Sequence, residues 1–506
     1  MKKILSIIGA FSVLILTSCD SFLELTPTNS VVASSSLTNV NEATVAMNGI
    51  YNRMTNLSYY GQRMTKYADM RGGDLYVPSS GRSDDAFFLF THDQTRSNFG
   101  AMWDVIYKVI MLSNNVLTNI ENGNVLTNST AELASLNDVK GQALAIRALA
   151  HFDLVKLYGL PYTKSGAPAS LGVPIVTSVI AAQDKLPRNT VEDVYKQVIE
   201  DLTTAIPLLK TAKSNGKINQ HGAKALLARV YLYKGDYNNA FTTASELITQ
   251  TAGVYTLYTP ANWVNSWKTQ FSSESIFELS ITSKDATALG NSSLTSFYAP
   301  MYYNSAFLAG AVASDKYLDL LSEDMTDVRW GVMGIDEYGN SIRNPTRSIP
   351  GRKGWITKYM GDKTDVVSAT NVKIIRLSEI YLIAAESALK KITPDKSASV
   401  TYLNAIRARA IGLEPASIVS TNEQLETLIL NERSKELIAE GHRFFDLLRL
   451  GKTIYFDDPS TKFNEPVLST SGRTTSLNWD YGKIILPIPD YEMNANPQMK
   501  QNPAYE

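Results

Sequence analysis

The chain has 506 residues, with 48 Lys and Arg against 49 Asp and Glu, four His and one Cys. This near-neutral balance argues against a protein built to bind phosphate backbones, which is usually clearly basic, and a single cysteine excludes a disulfide framework and a cysteine-clustered zinc or iron–sulfur site. At 44% hydrophobic residues the chain can fill a large core, and its length suits about three domains or one large helical domain.

Lys2 and Lys3 precede a 13-residue apolar run from Ile4 to Leu16. The run is too short to cross a bilayer, which takes about 20 residues. Thr17, Ser18 and Cys19 follow, the order of a secretory signal. Leu16-Thr17-Ser18-Cys19 also resembles the lipobox of bacterial lipoproteins, in which the cysteine is acylated and becomes the first residue. The expectation is a signal peptide over 1–18, lipidation at Cys19 and a polar tether over 19–40. Several acyl chains on one cysteine anchor stably where a single chain holds only marginally. The mature chain would keep 46 basic residues against 49 acidic ones.

Helical periodicity begins after the tether. Ala43, Ala46, Met47, Ile50 and Tyr51 share one face, as do Trp103, Ile106, Tyr107, Ile110 and Asn114, and then Leu144, Ala148, His151, Phe152 and Val155. Trp103 and His151 on such stripes read as core residues. Thr190 can cap a helix with Glu192 and Asp193 in its first turn and Val191, Val194, Val198 and Leu202 on its buried side. Leu227, Ala228, Tyr231 and Ala240 keep the spacing of a tetratricopeptide repeat, with the turn at Lys234-Gly235-Asp236-Tyr237. Residues 251–370 lack a sustained helical stripe, are rich in Gly, Ser, Asn, Thr and aromatics, and contain a strand-like run over Ser275–Ile281.

A second helix pair follows, with Ile380, Ile383, Ala384, Ser387 and Ala388 on one stripe, a break at Thr393-Pro394-Asp395, and Tyr402, Ala405, Ile406 and Arg409 on the next. Thr421 and Gln424 form a capping box ahead of Leu425, Leu428 and Ile429, and Gly441 ends or interrupts that helix. The tail from about 451 reads as irregular and carries Pro487, Pro489, Pro497 and Pro503. The fold class expected is therefore mainly α: a tetratricopeptide-like scaffold over about 41–250 and 371–450, an aromatic-rich insertion over about 251–370, and a tail over 451–506.

No nucleophile elbow, H-E-x-x-H, Walker loop or G-x-G-x-x-G occurs. His92, His151, His221 and His442 are far apart in sequence, and Asp84-Asp85 and Asp457-Asp458 read as loop acids. A glycoside hydrolase stays open at this point, because its two carboxylates are paired in space rather than in sequence. An adaptor that binds only proteins stays open too.

One block is more specific than any of these features. Asn431-Glu432-Arg433-Ser434-Lys435-Glu436-Leu437 runs through Ala439-Glu440-Gly441-His442-Arg443-Phe444-Phe445-Asp446-Leu447 to Arg449 and Gly451. Arg376-Leu377-Ser378-Glu379 with Ala384-Ala385-Glu386, Asn404-Ala405-Ile406-Arg407-Ala408-Arg409-Ala410, Leu486-Pro487-Ile488-Pro489 and Gln501-Asn502-Pro503 accompany it. Together they resemble the SusD/RagB lipoproteins of Gram-negative nutrient uptake. By itself the block reads as structural, with Glu432, Arg433, Glu436, Glu440 and Arg443 forming charge pairs while Phe444, Phe445, Leu447 and Leu448 fill core.

The resemblance implies about four tetratricopeptide-like helix pairs, a lipid-anchored position on the cell surface, and a TonB-dependent outer-membrane transporter (SusC-like) over which the protein acts as a lid. It implies capture of glycan oligomers, or of peptides in RagB-like branches, without catalysis; no cofactor is expected, the charge balance argues against nucleic acid, and a structural metal ion stays open. A sugar-binding surface needs aromatic platforms flanked by polar side chains. The insertion offers Tyr298, Tyr302, Tyr303, Trp330 and Trp355 among Asn291, Asn304 and Arg329. Arg71-Gly72-Gly73-Asp74-Leu75-Tyr76 resembles a segment that contributes to ligand sites in parts of the family. The candidate ligand residues are thus Arg71, Asp74, Tyr76, Tyr298, Tyr302, Tyr303 and Trp330; for Tyr302 and Tyr303 binding and core readings are equally open, since strand neighbours face opposite ways.

Overall fold

The computed structural model describes residues 37–76, 85–95, 97–181, 183–289, 293–298, 311–334, 355–359, 369–412, 421–456 and 476–506. The signal peptide, Cys19 and most of the tether lie outside the described residues.

Helix after helix starts on a side chain able to accept a hydrogen bond. Asn39 caps α1 (Val40–Met54), Ser129 caps α4 (Thr130–Tyr158) and Thr190 caps α5 (Val191–Ala205); α2 (Arg63–Arg71) and α3 (Ser97–Glu121) lie between the first two. Asn219 caps α6 (Gln220–Lys234), Asp236 caps α7 (Tyr237–Gln250) and Asp395 caps α9 (Lys396–Ile411), which follows α8 (Leu377–Lys390). Thr421 and Gln424 form the expected capping box at the start of α10 (Asn422–Leu437), and α11 (Arg443–Arg449) comes next. Each such cap satisfies an otherwise unpaired N–H and is worth about 1 kcal/mol. Gly235, at φ +76°, closes α6 so that Asp236 can open α7 at once.

The long helices stack in order. α1 packs with α3, α4 with α5, α6 with α7 and α8 with α9, and each pair packs on the next through α3 on α4, α5 on α6 and α7 on α8. This is the array of four tetratricopeptide-like pairs. Ala228 and Ala240, both fully buried, let α6 and α7 approach closely. α4 departs from the one-sided stripe its sequence suggests. From Gly141 to Tyr158 every residue except Lys156 is buried, the polar Gln142, Arg147, His151 and Asp153 included, because helices or the tail cover all its sides.

The insertion is tied at its neck. Strand Ser275–Leu279 pairs antiparallel with Val372–Arg376, so the chain leaves and rejoins the scaffold at one place. Leu75–Tyr76 with Val312–Ala313, and Met333–Gly334 with Trp355–Ile356, are short antiparallel pairs inside it or across to the scaffold. The tail is anchored by its polar motif. Asn502 donates to the carbonyls of Tyr158 and Leu486, Gln501 both donates to and accepts from the backbone of Ile488, and Arg188 donates to the carbonyls of Gly172, Leu171, Tyr158 and Lys500 and to Asn502.

Candidate functional site

The chemistry-bearing residues of the C-terminal block face inward. Arg376, at the end of the neck strand and 1% exposed, donates to Glu274 at 2.8 Å, to Glu436 at 3.0 Å and to both oxygens of Glu440 at 2.7 Å. Arg409 reaches Glu436 at 2.8 Å, and Arg329 bridges Asp327 and Glu432 at 2.6 Å each. Lys358 lies 2.7 Å from Glu440. A second group joins Arg433 to Asp446 and Arg449 to both Asp446 and Glu386, and a third joins Arg229 to Glu379.

Burial works to raise Glu436, but Arg409, Arg376 and Arg329 outweigh it and hold the carboxyl well below the usual range. Glu379 is likewise held down to about 2, burial being outweighed by Arg229 and then His442. Every one of these carboxylates is matched to a cation, the condition for burying charge at all. The network joins α10, α9, the neck strand and the insertion. It is the internal frame on which the insertion stands.

The structure corrects three of the predicted ligand residues. Arg71 is fully buried, its guanidinium 3.8 Å from the centroid of the Phe90 ring and also over Tyr67 and Phe444, while it donates to the carbonyls of Lys483 and Ile484. Asp74, 5% exposed, accepts from the Ser434 hydroxyl and pairs with Arg443 at 3.3 Å. Tyr298 is buried, stacks on Tyr359 and donates its hydroxyl to Asp69. Each is tied to an element hundreds of residues away, which leaves no face for a ligand. Arg329 is interior for the same reason.

Gly72 explains the density at that end of α2: a Cβ there would meet the Arg443 side chain at 2.8 Å. Gly73 takes φ +81° against the Tyr455 carbonyl, where a Cβ would lie at 2.2 Å.

Trp330 remains at the edge. It is half-buried, with its indole N–H donating to the Asp324 carbonyl at 3.3 Å. Tyr76 and Trp355 hold strand positions opposite Val312 and Gly334. Tyr302, Tyr303, Asn291 and Asn304 lie outside the described residues. Trp103 and His151 are core, as expected. The His151 Nδ1 lies 3.1 Å from the Arg147 carbonyl and its Nε2 accepts from Val176 N–H, so burial, the main cause, holds it neutral with its pKa down at about 3.

The profile of the SusD family matches residues 295–505, and that of a family described as starch-binding and associating with the outer membrane matches residues 21–232. A SusD superfamily structure from Bacteroides thetaiotaomicron superposes with a TM-score of 0.83 at 34% identity, covering 92% of this chain and 100% of its own. The chain belongs to the SusD family. A SusD-like protein of Formosa agariphila is 26% identical over 98% of this chain and 99% of its own length. A structure described as a laminarin-binding SusD-like protein shares the fold, with a TM-score of 0.68 at 24% identity, covering 92% of this chain and 100% of its own.

In this SusD-family protein no described helix is long and apolar enough to cross a membrane, and the described residues contain no group of His, Cys, Asp and Glu able to hold a metal ion. The sequence pattern did not single out the aromatic residues that the tail exposes, Tyr491 at 45% among them. Tyr455 is 53% exposed, Tyr481 is 42% exposed and Trp479 is half-buried. The signal was the alternation Asn478-Trp479-Asp480-Tyr481, the same aromatic and polar mixture that singled out the insertion.

Proposed function

We propose that this chain is a cell-surface lipoprotein, anchored through Cys19, that binds glycan oligosaccharides and hands them to a TonB-dependent outer-membrane transporter for which it acts as a lid. The observation that carries the reading is the full-length match to a glycan-binding family, in which one fold relative is described as binding laminarin. The lipobox at Leu16-Thr17-Ser18-Cys19 supports the anchor. Delivery requires binding and release alone. The interior pairing of the acids in the C-terminal block agrees with a protein that performs no catalytic step.

Trp330, Tyr76, Tyr302 and Tyr303 are the ligand contacts assigned in this reading. The test has two arms. Purified protein is run through affinity gels containing laminarin, soluble starch or xylan beside a tryptic peptide pool; glycan retardation is expected, and retention of peptide alone overturns the reading in favour of a RagB-like role. In cells, Cys19→Ser should move the protein out of the outer-membrane fraction, and the wild type should co-purify with a barrel transporter.

A further inference from the structure

The neck of the insertion meets the scaffold across a cavity of about 30 Å³, room for one or two bodies the size of a water molecule. The neck strand, α2, α4, α6 and the turn between α10 and α11 all contribute to its wall. That wall is cationic. Lys156, Arg229 and Lys373 line it. Their counter-charges are Asp153 at 2.8 Å, Glu379 at 2.5 Å and Glu278 at 3.6 Å, and none of these three carboxylates is part of the wall. The one acid that does line the cavity, Glu440, is already committed to Arg376 through both its oxygens and to Lys358.

The same wall holds donors that the protein does not use. Arg229 directs Nε and Nη2 to Glu379 and the Ile374 carbonyl, and its Nη1 has no hydrogen-bond partner among the described residues. The hydroxyls of Thr65 and Tyr233, on side chains each 5% exposed, have none either. His442, 7% exposed, makes no hydrogen bond through its ring nitrogens, and its Nδ1 lies 4.0 Å from Glu379. Burial keeps that ring neutral, with its pKa down at about 4, so at neutral pH it offers one N–H. Buried polar groups are almost always satisfied, and this set points to a bound species. Three like charges disfavour a cation. A water molecule would bring two more donors to a wall short of acceptors. A small anion accepts from several N–H and O–H groups at once, and such charge-assisted hydrogen bonds are the stronger kind.

We propose that this cavity binds a small monovalent anion of chloride size, held by Arg229, Lys156, Tyr233 and Thr65, which ties the neck of the insertion to the helical scaffold. The site stands apart from the glycan reading and survives its failure. The experiment follows the thermal midpoint of the folded mature chain against sodium chloride in a background of sodium gluconate at constant ionic strength, gluconate being too large for the cavity. The midpoint should rise with chloride and saturate, and amide exchange across Val372–Arg376 should slow in step. Crystals soaked in sodium bromide should show an anomalous peak between Arg229 and Tyr233. Tyr233→Phe keeps the ring and removes one donor, and it should raise the half-saturating chloride concentration about tenfold, the scale of one hydrogen bond to a charged group. Should that variant not fold, Thr65→Val removes the other hydroxyl and carries the same expectation. A midpoint indifferent to chloride at fixed ionic strength overturns the proposal. So does a bromide-soaked crystal whose cavity holds only water, or a folded hydroxyl variant with wild-type half-saturation.

Discussion

Arg376 is the residue on which the interior frame most depends. Its guanidinium sits among Glu274, Glu436 and Glu440 with five hydrogen bonds to their carboxylates and to the Ser378 hydroxyl at 2.7–3.0 Å, and none of the four side chains it joins is more than slightly exposed. Arg376→Met keeps the volume and removes the charge. Glu436 then retains Arg409 and Glu440 retains Lys358, but Glu274 keeps the Tyr258 N–H and, among the cations of the described residues, the longer 3.4 Å contact to Arg409. Breaking a buried pair by removing one partner costs about 3–5 kcal/mol, chiefly from the carboxylate left uncompensated. Against a total stability of about 5–15 kcal/mol, that is a large fraction. Urea unfolding followed by circular dichroism should show a midpoint far below wild type. Adding Glu274→Gln should recover part of the loss, since it withdraws the stranded charge. A single variant within about 1 kcal/mol of wild type would refute the view that this arginine holds the frame together, as would a double variant that is worse than the single one.

Other expectations follow from the same structure. Glu379 is held down to about 2, and Glu436, Glu440 and Asp446 are also lowered; a depressed carboxylate contributes stability above its unfolded pKa of about 4 and loses it as pH falls through the folded value. Thermal midpoints should therefore drop steeply between about pH 4 and pH 2, and a flat profile there would contradict the pairing. Asp69 has the opposite sign: burial pushes it up to about 8, despite hydrogen bonds from Tyr298 and Gly441. Its contribution falls as pH rises from about 4 to 8, so Asp69→Asn should flatten the stability profile across that window, and an unchanged slope would count against it. Arg188→Met should free the Gln501-Asn502 tail, cost about 2–4 kcal/mol through stranded carbonyls, and raise amide exchange at residues 484–502, whereas unaltered exchange would show that the tail holds itself. Trp330→Ala should weaken glycan binding about tenfold with a smaller loss of stability; equal affinity in wild type and variant would remove it from the site.

The helices were legible because their signals are local. Thr190 and Thr421 cap the helices they precede, Gly235 closes one, and the spacing of Leu227, Ala228 and Ala240 gives a pair that packs. The charges of the C-terminal block were legible as structural but not in their pairing. Read along the helix, Glu432, Arg433, Glu436 and Glu440 suggested partners three or four residues apart. In the fold Glu432 meets Arg329, Arg433 meets Asp446, and Glu436 and Glu440 meet Arg376. Intrahelical pairs are worth only a few tenths of a kcal/mol, and bringing up arginines from the insertion and the neck gives each buried acid a full partner.

Composition, the run ending at Cys19, the periodicity and the C-terminal block were enough to define an α-helical repeat body of a recognisable family. They could do so because caps, turns and apolar spacing act within a few residues of each other. Exposure is of another kind. Arg71, Asp74 and Tyr298 have the composition of a binding site, yet Lys483, Ser434 and Asp69 draw them inside, while Tyr455 and Tyr491 in an unremarked tail are left at the surface. A side chain's accessibility is set by whichever distant segment packs over it, and no local pattern carries that information.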